Sequence, residues 1–273
     1  MQSEKDFLEN YDITAFERPS VTTDIVCFRI QNSTKENYRK NPGKKLTILL
    51  IQRKEHPFMD AWALPGGFLQ PNETIEQCAM REISEETGIT PVSIMPVCTF
   101  SEPGRDPRGW IISNAFASIL GEDSAQPVGG DDAKDAKWFE INFEQNGSAE
   151  CILELTHSDI TLRSVLEETK TRFGIAQFAI KEGGTLAFDH ARIIATTLSV
   201  LREKAKHFEY IFDFLPETFT LNALQKVQET IMDIEVLPAN FRRKVAPFVA
   251  QTDDFTQGDG HRPAQLYKRN TQQ

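Results

Sequence analysis

The sequence predicts an α+β chain in two units: a mixed sheet flanked by helices over residues 1–206, then a smaller unit of short helices and a β-hairpin over residues 207–273. Three observations predict it. Short strand-like runs alternate with helical ones as far as Lys206, the pattern of a layered sheet. Beyond Lys206 the helical segments shorten, two prolines punctuate them, and a glycine-containing turn links two strand-like runs. Charge divides the same way. Residues 201–273 hold ten Lys/Arg and ten Asp/Glu, whereas residues 1–200 carry twenty and thirty and so all of the net charge of −10.

Taken in order, Val21 to Ile30 alternates apolar and polar residues, as a half-buried strand does. Residues 32–44 form a polar, turn-rich loop, and Leu46 to Gln52 is an apolar strand leading to Arg53. A glycine loop, Leu64-Pro65-Gly66-Gly67-Phe68, precedes a helix. Thr74 and Gln77 have the spacing of a capping box at its start, and Gly88 stands where a left-handed C-terminal cap belongs. Further strands are expected at Ser93–Ser101, Trp110–Ile119, Lys137–Phe143 and Cys151–Leu155 and near Phe178–Ile180, with helices near Thr161–Arg172 and Phe188–Lys206.

The helix after the glycine loop carries the chemistry. At about 100° per residue, Ile75, Cys78, Ala79 and Ile83 form one apolar stripe, with Thr87 on the opposite side. Glu82, Glu85 and Glu86 fall on that same stripe. Like charges at this spacing repel, by roughly 0.2–0.5 kcal/mol per pair when exposed and by more when buried. A divalent cation removes the cost, and clustered carboxylate oxygens suit Mg²⁺ or Mn²⁺. Two glycines also let backbone approach a metal or ligand closely.

Residues 67–89, GFLQPNETIEQCAMREISEETGI, fit Gly-x5-Glu-x7-Arg-Glu-U-x-Glu-Glu-x-Gly-U, with U apolar, at every fixed position. This stretch resembles the Nudix box, and the chain is similar to the Nudix hydrolases over roughly residues 20–200. The resemblance implies an α/β/α sandwich with a mixed sheet. It also implies metal ligands at the Gly67 carbonyl and at Glu82, Glu85 and Glu86, with Arg81 paired to Glu73 to orient the helix. Arg81, Glu82, Glu85 and Glu86 are thereby the expected catalytic group. Candidates for the general base are the box glutamates and the loop acids Asp131 and Asp132.

Substrate contacts are expected at Arg53 and in the loop SEPGRDPRGWIIS, which holds Arg105, Asp106 and Arg108. Guanidinium matches phosphate geometry, so two arginines near an acidic helix could clamp a diphosphate. The Arg-Asp-Pro-Arg-Gly run resembles ADP-ribose pyrophosphatases and their regulator relatives. That resemblance implies a nucleoside diphosphate sugar such as ADP-ribose, cleaved by metal-assisted attack of water.

The C-terminal unit has helical spacing at Leu221, Leu224, Val227 and Ile231, a helix opened by Pro238 and closed by Pro247, and a hairpin ending in AQLYKR. This is the pattern of a winged helix-turn-helix. In NFRRKV, Phe241, Val245 and Leu237 are expected to face inward, leaving Asn240, Arg242, Arg243 and Lys244 to meet bases or phosphates. The stretches LAFDHARII, LPETFTL, NFRRK and HRPAQLYKR resemble the Nudix-related transcriptional regulators. The resemblance implies a dimer that binds an operator in double-stranded DNA, with Arg262 on the wing, and that senses ADP-ribose. In that group the box is often degenerate; here it is intact, so hydrolysis is expected to be retained.

Composition limits the alternatives. A net charge of −10 argues against nucleic-acid binding over the whole surface. No apolar run approaches the roughly 18 residues of a membrane span, and the N-terminus lacks a signal peptide's core, so a cytoplasmic protein is expected. Cys27, Cys78, Cys98 and Cys151 are scattered and read as free thiols, and the five histidines make no metal-ligand spacing.

Overall fold

The computed structural model describes residues 3–32, 43–91, 93–121, 126–130, 133–145, 149–170, 176–182, 184–256 and 263–270. A short helix α1 (Glu4–Glu9) precedes strands β1 (Ser20–Asn32), β2 (Lys44–Arg53) and β3 (Trp62–Ala63) and helix α2 (Ile75–Thr87). Strands β4 (Met95–Phe100), β5 (Ile111–Leu120), β6 (Ala133–Gln145), β7 (Glu150–His157), β8 (Ile160–Lys170) and β9 (Ala176–Glu182) follow, then helix α3 (His190–Lys206). The chain ends in α4 (Leu221–Met232), α5 (Pro238–Val245) and the hairpin β10 (Val249–Phe255) and β11 (Gln265–Arg269).

The sheet runs β4-β5-β1-β2-β6-β7-β8-β9, with β3 beside β2. It is mixed, because β1 and β5 pair in parallel while β1–β2, β2–β6 and β4–β5 are antiparallel. Helices cover both faces. Ile25 and Cys27 of β1 pack with Ala79 and Ile83 of α2, whereas Val26, Phe28 and Ile30 join the core of α3 and α4. β1 is therefore buried on both sides, not half-buried as its alternation suggested. Its inner polar residues all have partners: Thr23 meets Cys78, Asp24 meets Ser113, and Arg29 stacks 4.1 Å from the Trp138 ring. Burying such groups is costly unless they are paired.

The helix expected over Thr161–Arg172 is a strand, β8, up to Lys170. Ser158, at φ 52°, and Asp159 turn the chain so that His157 pairs with Ile160 and Leu155 with Leu162. Thr161, Val165 and Thr169 are β-branched and favour the pleated partner surface, so hairpin pairing overrides the helical spacing. Residues 33–42 of the expected 32–44 loop lie outside the described residues, as do Asp131, Asp132 and Arg262.

The C-terminal helices and hairpin stand as the spacing predicts, with one correction. Phe241 and Val245 are buried, but Leu237 is 71% exposed, because it caps α5 from outside the first turn. The hairpin is tied to the segment before α4 by paired bonds between Phe219 and Tyr267, and α4 is held to α3 by Arg202 Nε donating to the Ile231 carbonyl and Gln228 Nε2 to that of Ala205. Among the described residues, no helix is long and apolar enough to cross a membrane.

Candidate functional site

The glycine loop is fixed from β1. Ile25 N–H donates to the Pro65 carbonyl at 2.9 Å and Thr23 N–H to that of Gly67 at 3.0 Å. Contact is so close that a Cβ on Gly66 would stand 2.0 Å from the Thr23 oxygen, and one on Gly67 would stand 2.3 Å from Glu82 Oε1. At Gly66 the clash is with β1 backbone, so only glycine lets loop and strand meet there.

α2 starts at the Thr74–Gln77 capping box and ends at Gly88, with φ 69° and its N–H bonded to the Ser84 carbonyl. It buries Cys78, Ala79, Ile83, Glu86 and Thr87. Thr87 was expected on the outer side; instead it is fully buried and its hydroxyl donates to the Ile83 carbonyl at 2.5 Å. Arg81 fastens the helix to the loop. It forks onto Glu73 at 3.0 and 2.7 Å, reaches the Phe68 carbonyl at 3.2 Å, and bonds Glu82 at 2.7 Å and Glu85 at 3.1 Å.

The three box carboxylates differ in setting. Glu86 is 7% exposed, and its Oε2 accepts the Gly66 N–H at 2.9 Å. Burial pushes the Glu82 carboxyl above its ordinary value, against the pull of Arg81. Glu85 is 54% exposed and bonds outward to Arg81. Glu82, Glu86 and Gly67 line a cleft of about 350 Å³ that Arg53, Arg108, Phe68 and Phe188 also line. Arg53 and Arg108 lie 5.0 and 5.1 Å from the Phe188 ring, and Arg108 lies 4.9 Å from that of Phe68. Asp106 holds Arg108 at 3.0 and 2.7 Å.

Below this the floor is a buried charge network. Arg105 forks onto Asp189 at 3.0 and 2.6 Å and lies 3.9 Å from Asp24. Burial opposes the Arg105 charge, but Asp189, Asp24 and Asp106 together outweigh burial and raise the guanidinium above its ordinary value. Asp24 accepts a short bond from Ser113 and faces His190 Nε2 at 3.3 Å. Burial would raise the Asp24 carboxyl, yet His190, Ser113 and Arg105 hold it lowered.

Of the site residues expected from sequence, Gly67, Glu82, Glu86, Arg53, Arg105, Asp106 and Arg108 therefore share one cleft. Arg81 and Glu85 stand beside it, outside its lining. Sequence reasoning missed Asp24, Phe188, Asp189 and His190. A signal existed for each: an aspartate inside a β-branched strand, and a Phe-Asp-His run opening a helix. Among the described residues no three His, Cys, Asp or Glu side chains converge as a ready metal cage. Two cleft carboxylates do fit Mg²⁺, which is commonly held by one or two carboxylates together with substrate phosphates and water.

The second candidate surface is α5. Asn240, Arg242, Arg243 and Lys244 all lie outward of buried Phe241 and Val245.

Two predictions arise here. The Arg81 fork holds the Glu73 carboxyl at about 2 against an ordinary 4.5. With the folded value depressed, the pair's contribution is present above about 4.5 and is lost as pH falls through about 2. Glu73→Gln is therefore expected to lower the melting temperature at pH 7, with the gap from wild type closing over that acid range in thermal scans. Arg105→Ala leaves Asp189 and Asp24 without their buried cation, and is expected to cost about 3–5 kcal/mol in denaturant unfolding. A loss below about 1 kcal/mol would show that the network is not structural.

A NUDIX domain profile matches residues 38–147, and an NrtR DNA-binding winged helix domain profile matches residues 211–268. Over 269 residues the chain is 28% identical to an ADPR responsive transcriptional repressor NtrR from Acinetobacter baylyi, spanning 97% of this chain and 88% of that one. Over 95 residues it is 47% identical to an ADP-ribose pyrophosphatase from Methanocaldococcus jannaschii, spanning 35% of this chain and 55% of the relative. The crystal structure of a MutT/nudix family protein from Enterococcus faecalis matches with a TM-score of 0.73 at 31% identity, covering 98% of this chain and 94% of that one.

Proposed function

This chain belongs to the MutT/Nudix family, and we propose that it is a Mg²⁺-dependent hydrolase of a nucleoside diphosphate sugar such as ADP-ribose, joined to a winged helix that binds double-stranded DNA. We take residues 1–206 as the hydrolase unit and 207–273 as the DNA-binding unit, with two chains acting together as a homodimer. The observation that carries the reading is the make-up of the cleft: Glu82 and Glu86 share it with Arg53, Arg108 and the rings of Phe68 and Phe188. A diphosphate flanked by ribose and a base, bound with a cation, suits that combination of carboxylates, guanidiniums and rings.

Glu82 and Glu86 would hold the cation, with the Gly67 carbonyl and Glu85 as further ligands. When bound, the cation (Mg²⁺ or Mn²⁺) neutralises phosphate charge and lowers the pKa of the attacking water. The remaining work falls to the chain. Arg81 holds Glu82 in place, and the Gly66 N–H orients Glu86. Arg53 and Arg108 grip the diphosphate, Asp106 aims Arg108, and Arg105 backs them as counter-ion to Asp189. Arg108→Lys keeps a cation for Asp106 but loses the planar fork. It is expected to weaken ADP-ribose binding by about 10- to 150-fold in calorimetry, since one charged hydrogen bond is worth about 1.5–3 kcal/mol. Unchanged affinity would remove Arg108 from the phosphate site.

The test is direct. ADP-ribose incubated with protein and Mg²⁺ should yield AMP and ribose 5-phosphate by ion-exchange chromatography, and EDTA should stop the reaction. A second reading has its own support: Glu85 lies outside the cleft and bonds to Arg81, so the site is less acidic than its box suggests. On that reading the protein is an ADP-ribose-sensing repressor with little hydrolysis. Tight ADP-ribose binding without AMP release would decide for it.

A further inference from the structure

We propose that His190 is a positioning residue that holds the glycine loop, and through it Glu86, in the geometry a phosphate-bound divalent cation needs. The inference rests on the Mg²⁺ reading above. His190 opens α3, far along the chain from the box, and is buried. Its Nδ1 accepts the Leu64 N–H at 2.8 Å, so that nitrogen carries no proton and the ring hydrogen sits on Nε2, which faces Asp24 at 3.3 Å. Asp24 is itself anchored by Ser113 and Arg105, which makes the ring a fixed strut and not a free side chain.

The strut ends where it matters. Leu64 is two residues before Gly66, whose N–H meets Glu86 Oε2 at 2.9 Å. The same stretch is tied again to the approach to α3, where Ala187 N–H donates to the Trp62 carbonyl at 2.9 Å. On its other flank the loop hangs on β1 through Ile25 and Thr23. The loop therefore lies between two rails, and on the α3 side the single N–H of Leu64 is taken up by His190 Nδ1. Partners one step removed from a metal, as the Gly66 N–H would be, typically change affinity or activity by about 10- to 100-fold when lost, and His190 acts by fixing that partner.

Two substitutions separate the ring's two bonds. His190→Asn keeps an acceptor where Nδ1 sits, while His190→Gln reaches as Nε2 does and gives up the bond to Leu64. Amide hydrogen exchange at Leu64, read by NMR without metal or substrate, should be fast in His190→Gln and protected in wild type and His190→Asn. The Mg²⁺ concentration giving half-maximal thermal stabilisation should rise about 10- to 100-fold in His190→Gln and stay near wild type in His190→Asn. Where turnover is measured, kcat at limiting Mg²⁺ should fall while KM for ADP-ribose holds. Equal Leu64 protection in all three proteins, or an unchanged Mg²⁺ midpoint in His190→Gln, overturns the proposal. A wild type that neither cleaves ADP-ribose nor responds to Mg²⁺ instead ends the hydrolase reading, and the Leu64 exchange pattern still decides whether His190 holds the loop.

Discussion

Glu86→Gln is expected to lower kcat for Mg²⁺-dependent cleavage of ADP-ribose by at least about two orders of magnitude, because Lewis-acid stabilisation supplies several kcal/mol and each 1.36 kcal/mol is a factor of ten. The substitution is close to isosteric, and the glutamine oxygen can still accept the Gly66 N–H that now bonds Glu86. The fold should therefore survive, and only the charge is removed from a side chain that is 7% exposed in the cleft. Mg²⁺ binds the native state and not the unfolded chain, so it should stabilise the wild type by mass action and the variant much less. Equal thermal shifts in both proteins together with unchanged turnover would remove Glu86 from the metal site. Loss of turnover with an unchanged Mg²⁺ shift would make it a group acting on water or substrate instead.

The box helix was legible because every feature that specifies it is local. Thr74 and Gln77 close its start, Gly88 its end, and the apolar stripe chooses its buried face. Glu82 and Glu86 were legible for the same reason: acids on a core-facing stripe have no structural excuse, although Glu85, on that stripe by spacing, is 54% exposed. The floor of the cleft was not legible, because nothing local joins its members. Asp24 comes from the middle of β1, Arg105 from the loop before β5, and Asp189 and His190 from the start of α3. Parallel pairing of β1 with β5 and the return of α3 across the sheet bring them together. Arg105 thus reads from sequence as a free cation on a loop, and only its buried partners show it as half of an ion pair. β8 failed differently. Its spacing suits a helix as well as a strand, and the deciding contacts with β7 lie outside any window of its own residues.

Arg242→Ala combined with Arg243→Ala is expected to abolish specific binding to the DNA upstream of the protein's own operon while leaving ADP-ribose cleavage unchanged. Both side chains are exposed on α5, and the helix keeps its place through Phe241 and Val245, which are buried and untouched by the change. Loss of binding then reflects lost contacts and not lost structure. Each arginine that meets a phosphate should take about one unit from the slope of log K against log salt, and one that meets a guanine edge should cost about 1–3 kcal/mol of sequence preference. Lys244 and Asn240 flank the pair on the same helix, so their substitution should give smaller losses of the same kind. A homodimer would set two such helices about 34–36 Å apart, one turn of DNA, and the operator should be an inverted repeat with that spacing. If site and helix are coupled, ADP-ribose weakens DNA binding, and by linkage DNA weakens ADP-ribose binding by the same factor. Fluorescence anisotropy with the upstream duplex, with and without ADP-ribose and across a salt series, measures all of these. Wild-type binding no tighter to that duplex than to random sequence at physiological salt would leave the winged helix as a dimerisation element. The hydrolase unit would then stand without a DNA partner.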